Sequence, residues 1–252
     1  MAANQNVLVT GAAKRLGRAI AIDLADHGWD VAVHFNTSAL EAQETADIIR
    51  AKGSRAAPIN ADLADEDQTD ALVARAGEAL GPITALVNCA SIFEPDDWAT
   101  ASRDSWHRHM AVNLRAPFIL CQAFARALQD GAKGAIVNII DQRVLKPTPQ
   151  FLSYGISKAA LYWANTTLAQ ALAPRIRVNG VAPGPTMINA RQSEAHFRRQ
   201  REATILGTGA EPQDVCDAVR YLLTASAVTG EMITVDGGQH LIWQTSDALV
   251  SE

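Results

Sequence analysis

Tyr154 and Lys158 stand four residues apart in Phe151-Leu152-Ser153-Tyr154-Gly155-Ile156-Ser157-Lys158-Ala159-Ala160-Leu161-Tyr162. The run is rich in Ala and Leu and has no proline before Pro174, which predicts a helix. Positions i and i+4 share a helix face, so the phenol and the ammonium can converge on one point. A cation beside a phenol stabilises phenolate and lowers the tyrosine pKa toward working pH. Such a pair suits proton transfer in carbonyl or imine chemistry.

A pair of this kind is common, and its weight depends on what precedes it. Near the start, the apolar run Val7-Leu8-Val9-Thr10 leads into Gly11-Ala12-Ala13-Lys14-Arg15-Leu16-Gly17-Arg18-Ala19-Ile20. This reads as a buried strand turning into a helix N-terminus. Gly11 permits the tight turn and Gly17 permits close helix–strand packing. The helix N-terminus and its free N–H groups then favour a pyrophosphate. The strict G-x-G-x-x-G fingerprint is absent, because Arg15 holds the place of the middle glycine.

Strand-like and helical runs alternate along the rest of the chain. Strands are expected at Val7–Thr10, Asp30–Phe35, Arg55–Asn60, Ala85–Asn88, Ala135–Ile140, Arg177–Val181 and Met232–Val235. Helices are expected at Leu16–His27, Ala39–Ala51, Glu66–Ala79, Arg103–Leu128, Tyr154–Leu172 and Pro212–Thr224. This alternation implies an α/β fold, a single Rossmann-type doubly wound parallel sheet of about seven strands with helices on both faces. One domain over 1–252 accommodates it. The irregular stretch at about 184–210 falls after the sixth strand, at the carboxyl edge where ligands bind, and reads as a substrate lid. Its charged run His196–Glu202 reads as a solvated helix.

A net charge of -5 and a pI near 5.7 exclude a typical nucleic-acid binder. Cys89, Cys121 and Cys216 are scattered, with no C-x-x-C, so neither a metal site nor a disulfide framework is expected. Cys89 lies in an apolar run without a paired histidine and reads as packing. With no signal-like segment and no run of 18 apolar residues, the expectation is a cytoplasmic protein without a membrane partner.

Thr10-Gly11 with Gly17, Asn88-Cys89-Ala90, Asn113, Tyr154 with Lys158, and Pro183-Gly184 together resemble the short-chain dehydrogenase/reductase family, in order and at family spacing. The resemblance implies a nicotinamide cofactor and a homotetramer built on the helices containing Arg103–Leu128 and Tyr154–Leu172. It implies that Tyr154, Lys158 and Asn113 are catalytic, Asn113 through a held water, and that Ala90, Pro183, Gly184 and Thr186 border the cofactor. Asp62-Leu63 resembles the family's adenine contact. Trp243, in the tail after Gly237-Gly238, suits a further subunit interface.

The end of the second strand selects the cofactor. An NAD site usually has an acid there to accept from the ribose 2′-OH. Here the strand ends Val33-His34-Phe35-Asn36-Thr37-Ser38, without one. Lys14, Arg15, Thr37 and Ser38 can supply the cation and donors that a 2′-phosphate needs, with His34, Asn36 and Leu16 beside them. NADPH is the expected cofactor.

Asp141 narrows the substrate. Thirteen residues before the tyrosine, most of the family carries a serine that bonds a substrate carbonyl. A carboxylate repels a developing alkoxide but suits a ring nitrogen that needs a proton, provided it is protonated easily. Arg15 in the glycine turn, Ser91-Ile92-Phe93 after Ala90, and His34-Phe35-Asn36 point the same way. With Asp141 they resemble the pteridine reductases and dihydromonapterin reductases. That resemblance implies catalysis by Asp141, Tyr154 and Lys158, stacking of a pterin-like substrate on Phe93, and contacts from Arg15 and Ser91 to substrate and cofactor phosphate. Dihydropteridine, dihydromonapterin and dihydrofolate are the candidate substrates. The alternatives are a reductase of another small ketone or imine, or a cofactor-binding protein without turnover, which intact Tyr154 and Lys158 disfavour.

Overall fold

A computed structural model of the chain describes residues 5–189 and 191–243. The expectations that reach residues 1–4, Ala190 in the lid, and 244–252 lie outside the described residues. Seven strands form one sheet: β1 (Gln5–Val9), β2 (Trp29–Phe35), β3 (Ala56–Asn60), β4 (Ala85–Asn88), β5 (Gly134–Ile139), β6 (Ile176–Pro183) and β7 (Met232–Val235). All pair in parallel, in the order β3-β2-β1-β4-β5-β6-β7. The helices are α1 (Arg15–Asp26), α2 (Ala39–Ala51), α3 (Glu66–Leu80), α4 (Arg103–Met110), α5 (Ala116–Ala127), α6 (Leu152–Leu172), α7 (Glu194–Glu202) and α8 (Pro212–Thr224).

The near-continuous apolar strands follow from burial on both faces. Successive side chains alternate between faces. Val7, Val9, Val31 and Val33 pack with Ile20 and Leu24 of α1, Ile49 of α2 and Leu222 of α8. Leu8, Ala32, Leu86 and Ile136 pack the opposite way, with Leu72 of α3 and Leu120 and Phe124 of α5.

One helical expectation needs correction. The run Arg103–Leu128 is not a continuous α-helix: a π-helical turn over Ala111–Arg115 separates α4 from α5. Pro117 is the physical cause, since it lacks the N–H that would have bonded the carbonyl of residue 113. Asn113, fully buried, sits inside this widened turn. The stretch expected to form a lid contains α7, a charged helix with no buried residue, capped by the Ser193 side chain.

The strand order reverses between β1 and β4. The chain after β1 leaves toward one face and the chain after β4 toward the other, which opens a crevice at the carboxyl edge.

Candidate active site

Thr10 closes the base of the crevice. Its hydroxyl accepts the backbone N–H groups of Cys89 (2.9 Å) and Ala90 (3.0 Å), joining the end of β1 to the end of β4. The next residue, Gly11, has φ +66, and a Cβ there would lie 2.9 Å from Ala90 Cα. A Cβ on Gly17 would fall 2.2 Å from the Gly11 carbonyl oxygen. Both positions therefore need glycine for backbone to approach backbone.

His34 holds the turn from the side. Gly11 N–H donates to its Nδ1 at 3.0 Å, and its Nε2 bonds the Ala61 carbonyl at 3.1 Å. One nitrogen accepts and the other donates, which requires the neutral ring. Burial, the largest cause, lowers the His34 pKa from 6.5 to about 4.

Arg15 opens α1 with φ +53, a conformation suited to the glycine it stands in for. Its guanidinium donates to the carbonyls of Ile188 (2.7 Å) and Met187 (3.2 Å), tying the turn to the stretch after β6. Lys14 lies 2.7 Å from Glu41.

At the other end of the crevice, Asp141 follows β5 and Tyr154 lies in the first turn of α6. The Tyr154 hydroxyl donates to Asp141 Oδ2 at 2.7 Å. Asp141 also accepts from the Arg143 backbone N–H (2.8 Å) and lies 3.4 Å from its guanidinium. The expected convergence of phenol and ammonium takes a different form here. Lys158 Nζ donates to the Ile139 carbonyl at 2.8 Å and lies 5.9 Å from the tyrosine ring centroid. Burial, and then the Asp141 carboxylate, raise the Tyr154 pKa well above 10, against the lowering expected from Lys158. Burial likewise lowers Lys158 to about 8.

Phe93 completes this end. Its ring stacks on Phe151 (centroids 4.2 Å apart, 14° between planes) and meets Tyr154 edge-on at 4.7 Å. Its loop is held by Asn113, whose Oδ1 accepts Ile92 N–H (2.8 Å) and the Ser91 hydroxyl (3.1 Å). Asn113 Nδ2 donates to the Ile92 carbonyl and to Ser157 Oγ.

A buried polar group fixes the start of α6. Ser153 donates to Asp96 through both its N–H and its hydroxyl, and the hydroxyl lies 2.7 Å from His109 Nδ1. His109 Nε2 accepts the Glu94 N–H at 3.2 Å. These residues hold Tyr154 and the Phe93 loop in one frame. Asp96, His109, Ser153, Arg143 and Phe151 were not singled out in the sequence. Their only local signal is that Phe151 and Ser153 neighbour Tyr154.

A cleft of about 840 Å³ joins the two ends. It gathers Gly11, Lys14, Arg15, Leu16, His34, Asn36, Asp62, Leu63, Ala90, Ser91, Phe93, Asp141, Tyr154, Lys158, Pro183 and Gly184. Five sequence-predicted residues do not line it. Thr37 and Ser38 lie on the loop before α2, Ser38 as the residue preceding that helix. Asn88 turns inward, donating to Asn138 Oδ1 at 2.8 Å, and Asn113 stands behind the Ser91-Ile92 loop. Thr186 lines an adjoining cavity instead. Cys89 borders the cleft, but burial pushes its thiol up to about 12, which leaves it without thiolate at neutral pH.

The residues fit a dinucleotide. The crowded Gly11–Gly17 turn leaves backbone close to the start of α1, and cationic Lys14 and Arg15 stand beside it without an acid at the end of β2.

Fold and crevice thus define a nucleotide-binding reductase class, and comparison with known proteins makes the assignment specific. The family model described as enoyl-(acyl carrier protein) reductase matches residues 11–240. A short-chain type dehydrogenase/reductase of Picea abies is 32% identical over 92% of this chain and 91% of its own. The 3-oxoacyl-[acyl-carrier-protein] reductase FabG of Staphylococcus epidermidis is 30% identical over 94% of this chain and 100% of its own. Among solved structures, FolM alternative dihydrofolate reductase 1 from Brucella canis, complexed with NADP, superposes with a TM-score of 0.94 at 47% identity, covering 98% of both chains. The chain belongs to the short-chain dehydrogenase/reductase family of oxidoreductases.

Two predictions follow from the turn. Above pH 6.5 His34 is neutral whether the chain is folded or not. Between 6.5 and about 4 only the unfolded chain takes up the proton, so stability is lost as pH falls through that window. The loss at its full extent is on the order of 3 kcal/mol. Denaturant titrations should give a shallower pH dependence for His34→Gln across this range; an unchanged slope contradicts the account. Arg15→Gly removes an unfavourable φ whose strain is about 1–3 kcal/mol. Its melting temperature should equal or exceed that of the native protein, while its NADPH affinity falls; a large drop in melting temperature contradicts this.

Proposed function

We propose that the protein is an NADPH-dependent reductase of a pterin-like heterocycle. The observation that carries this reading is the 2.7 Å hydrogen bond from Tyr154 to Asp141, where a carbonyl reductase has use for a hydroxyl. Phe93 supports it, since a flat heterocycle seeks an aromatic face. So does the likeness to a protein called an alternative dihydrofolate reductase and complexed with NADP.

In this reading the Gly11–Leu16 turn takes the pyrophosphate and Lys14, Arg15, Asn36, Thr37 and Ser38 attend the 2′-phosphate. His34 and Asn88 keep the strand ends in place. Asp62 and Leu63 take the adenine end, and Ala90, Pro183, Gly184 and Thr186 border the nicotinamide end. Lys158 holds the nicotinamide ribose. The bound cofactor supplies a hydride. Phe93, Ser91 and Arg15 orient the substrate. Tyr154 donates to the Asp141 carboxylate, so a proton that the phenol gives to the substrate is replaced from solvent by way of that carboxylate. Asn113 sets the Phe93 loop against Tyr154. We also infer one domain with a lid over about 184–210, closed against the turn through Arg15.

The same reading includes a cytoplasmic homotetramer. Trp163 of α6 is 71% exposed, and Ile156 and Tyr162 of that helix are also exposed, an apolar face that suits a neighbouring subunit. Trp243, 63% exposed, suits a second contact.

A short-chain ketone reductase is the second reading, favoured by the likeness to FabG. NADPH oxidation with dihydrobiopterin, dihydromonapterin, dihydrofolate and a simple diketone separates the two. Tyr154→Phe should lose about 10²–10⁴ in kcat with NADPH binding nearly intact. Asp141→Asn should lose dihydropterin reduction, because an amide cannot take up a proton and pass it on to Tyr154 at neutral pH. Activity on ketones alone, raised further by Asp141→Ser, would overturn the pterin reading. For the cofactor, Lys14→Ala should raise the KM for NADPH about tenfold, the equivalent of ~1.4 kcal/mol, and change that for NADH little. Equal catalytic efficiency of the native protein with both cofactors contradicts the assignment.

A further inference from the structure

Beside the cleft lies a second cavity of about 440 Å³, which shares Arg15, Phe93, Asp141, Tyr154 and Arg191 with it. The proposed function uses Arg15, Phe93, Asp141, Tyr154 and Thr186 at the border of this space and gives the rest of it no occupant. Its charge is lopsided. Three guanidinium groups, Arg15, Arg143 and Arg191, line it against one carboxylate, Asp141.

That carboxylate does not saturate them. Arg143 meets Asp141 only at 3.4 Å, and its Nε is buried with no hydrogen-bond partner among the described residues. The Arg143 guanidinium instead lies over the rings of Phe93 (5.4 Å) and Phe151 (5.6 Å). Arg15 and Arg191 donate to backbone carbonyls, those of Met187, Ile188 and Phe93. A carbonyl occupies an N–H without cancelling the charge. Each guanidinium has five N–H donors in a fork that matches a carboxylate. The amides of Gln142, Gln150, Gln192 and Gln200 fill much of the remaining wall, and the Gln142 Oε1 is also buried without a partner among the described residues.

We propose that this cavity is an anion subsite that takes a carboxylate-bearing extension of the flat substrate, held by Arg143 and Arg191. The proposal rests on the pterin reading and deepens it: the preferred substrate is a reduced pterin with an acidic tail. The ring is gripped at Phe93, and the tail runs past the Phe93–Phe151 stack into the cationic space. Charge-assisted bonds to forked donors are the strong ones, so the tail contributes to selection as well as affinity.

The test compares dihydrofolate, dihydrofolate with both glutamyl carboxylates amidated, and dihydromonapterin, at saturating NADPH. The native protein should favour the acid over its diamide by about tenfold or more in kcat/KM, through KM. Arg143→Gln and Arg191→Gln should each erase most of that ratio. Equal use of acid and diamide, or variants that depress both alike, overturns the subsite. So does an effect of the variants on NADPH affinity that accounts for the change. Arg191 is exposed, so Arg191→Gln carries the test should Arg143→Gln fail to fold. If no pterin is reduced at all, the pterin reading fails, and titration of p-aminobenzoylglutamate onto the NADP-loaded protein decides the subsite separately. Binding that is lost in Arg191→Gln supports it; absent or unchanged binding overturns it.

Discussion

The meeting of β1 and β4 is the constraint on which the rest of the molecule depends. Two parallel strands whose exits diverge must leave a crevice, and the backbone flanking it needs partners for its own polar groups. Thr10 supplies them with one hydroxyl that accepts two N–H groups. Gly11 answers with a conformation that lets Ala90 come close, and His34 takes the remaining N–H from β2. Three strand ends are thereby locked at the point where a pyrophosphate would lie.

The end of the cleft that holds Tyr154 and Asp141 is backed by a different device, a chain of buried amides. Asn88 of β4 donates to Asn138 of β5, which donates to Asn165 of α6. Asn138 and Asn165 each accept from one neighbour and donate to the next, while Asn88 only donates, its own Oδ1 being buried without a partner among the described residues. Low local dielectric makes such a chain strong when satisfied and costly when broken. Asn113 extends the same logic to the Phe93 loop, and the π-helical turn that Pro117 imposes carries it.

Much of this was legible in the sequence, and the gaps have physical reasons. Strand and helix positions emerged because apolar runs and turn residues are local signals. The parallel, doubly wound sheet followed from the alternation of strands and helices, while the order of strands within it is seen only in the structure. The π-helical break did not emerge, since a proline near a helix start and a proline inside a longer helix look alike until the ends are known. The inward turn of Asn88 and the role of Asn113 depend on Asn138 and Ser157, partners distant in the chain. The stack of Phe151 on Phe93 depends on a left-handed backbone at Phe151 that no residue type there announces. Lys158 was placed on the same helix face as Tyr154 by spacing alone. Spacing could not foresee that the Ile139 carbonyl would take the ammonium while Asp141 took the phenol.

That last divergence bears on how the site stores its proton. With the carboxylate and the ammonium on separate partners, the phenol is left between an acceptor and a buried cation that it does not touch. Burial and Asp141 then keep the proton on Tyr154, and Lys158 is weakened as a cation by the same burial. A flat ring nitrogen arriving beside Phe93 would enter between these groups and offer the phenol a second acceptor. A cofactor ribose would give Lys158 an oxygen outside the backbone. A serine at residue 141 would bear no negative charge and would offer one oxygen where the two oxygens of Asp141 take the tyrosine, the Arg143 N–H and its guanidinium. The aspartate therefore couples Tyr154 to the arginine that faces the second cavity, and under the proposed function it would link the chemistry of the ring to whatever the ring carries.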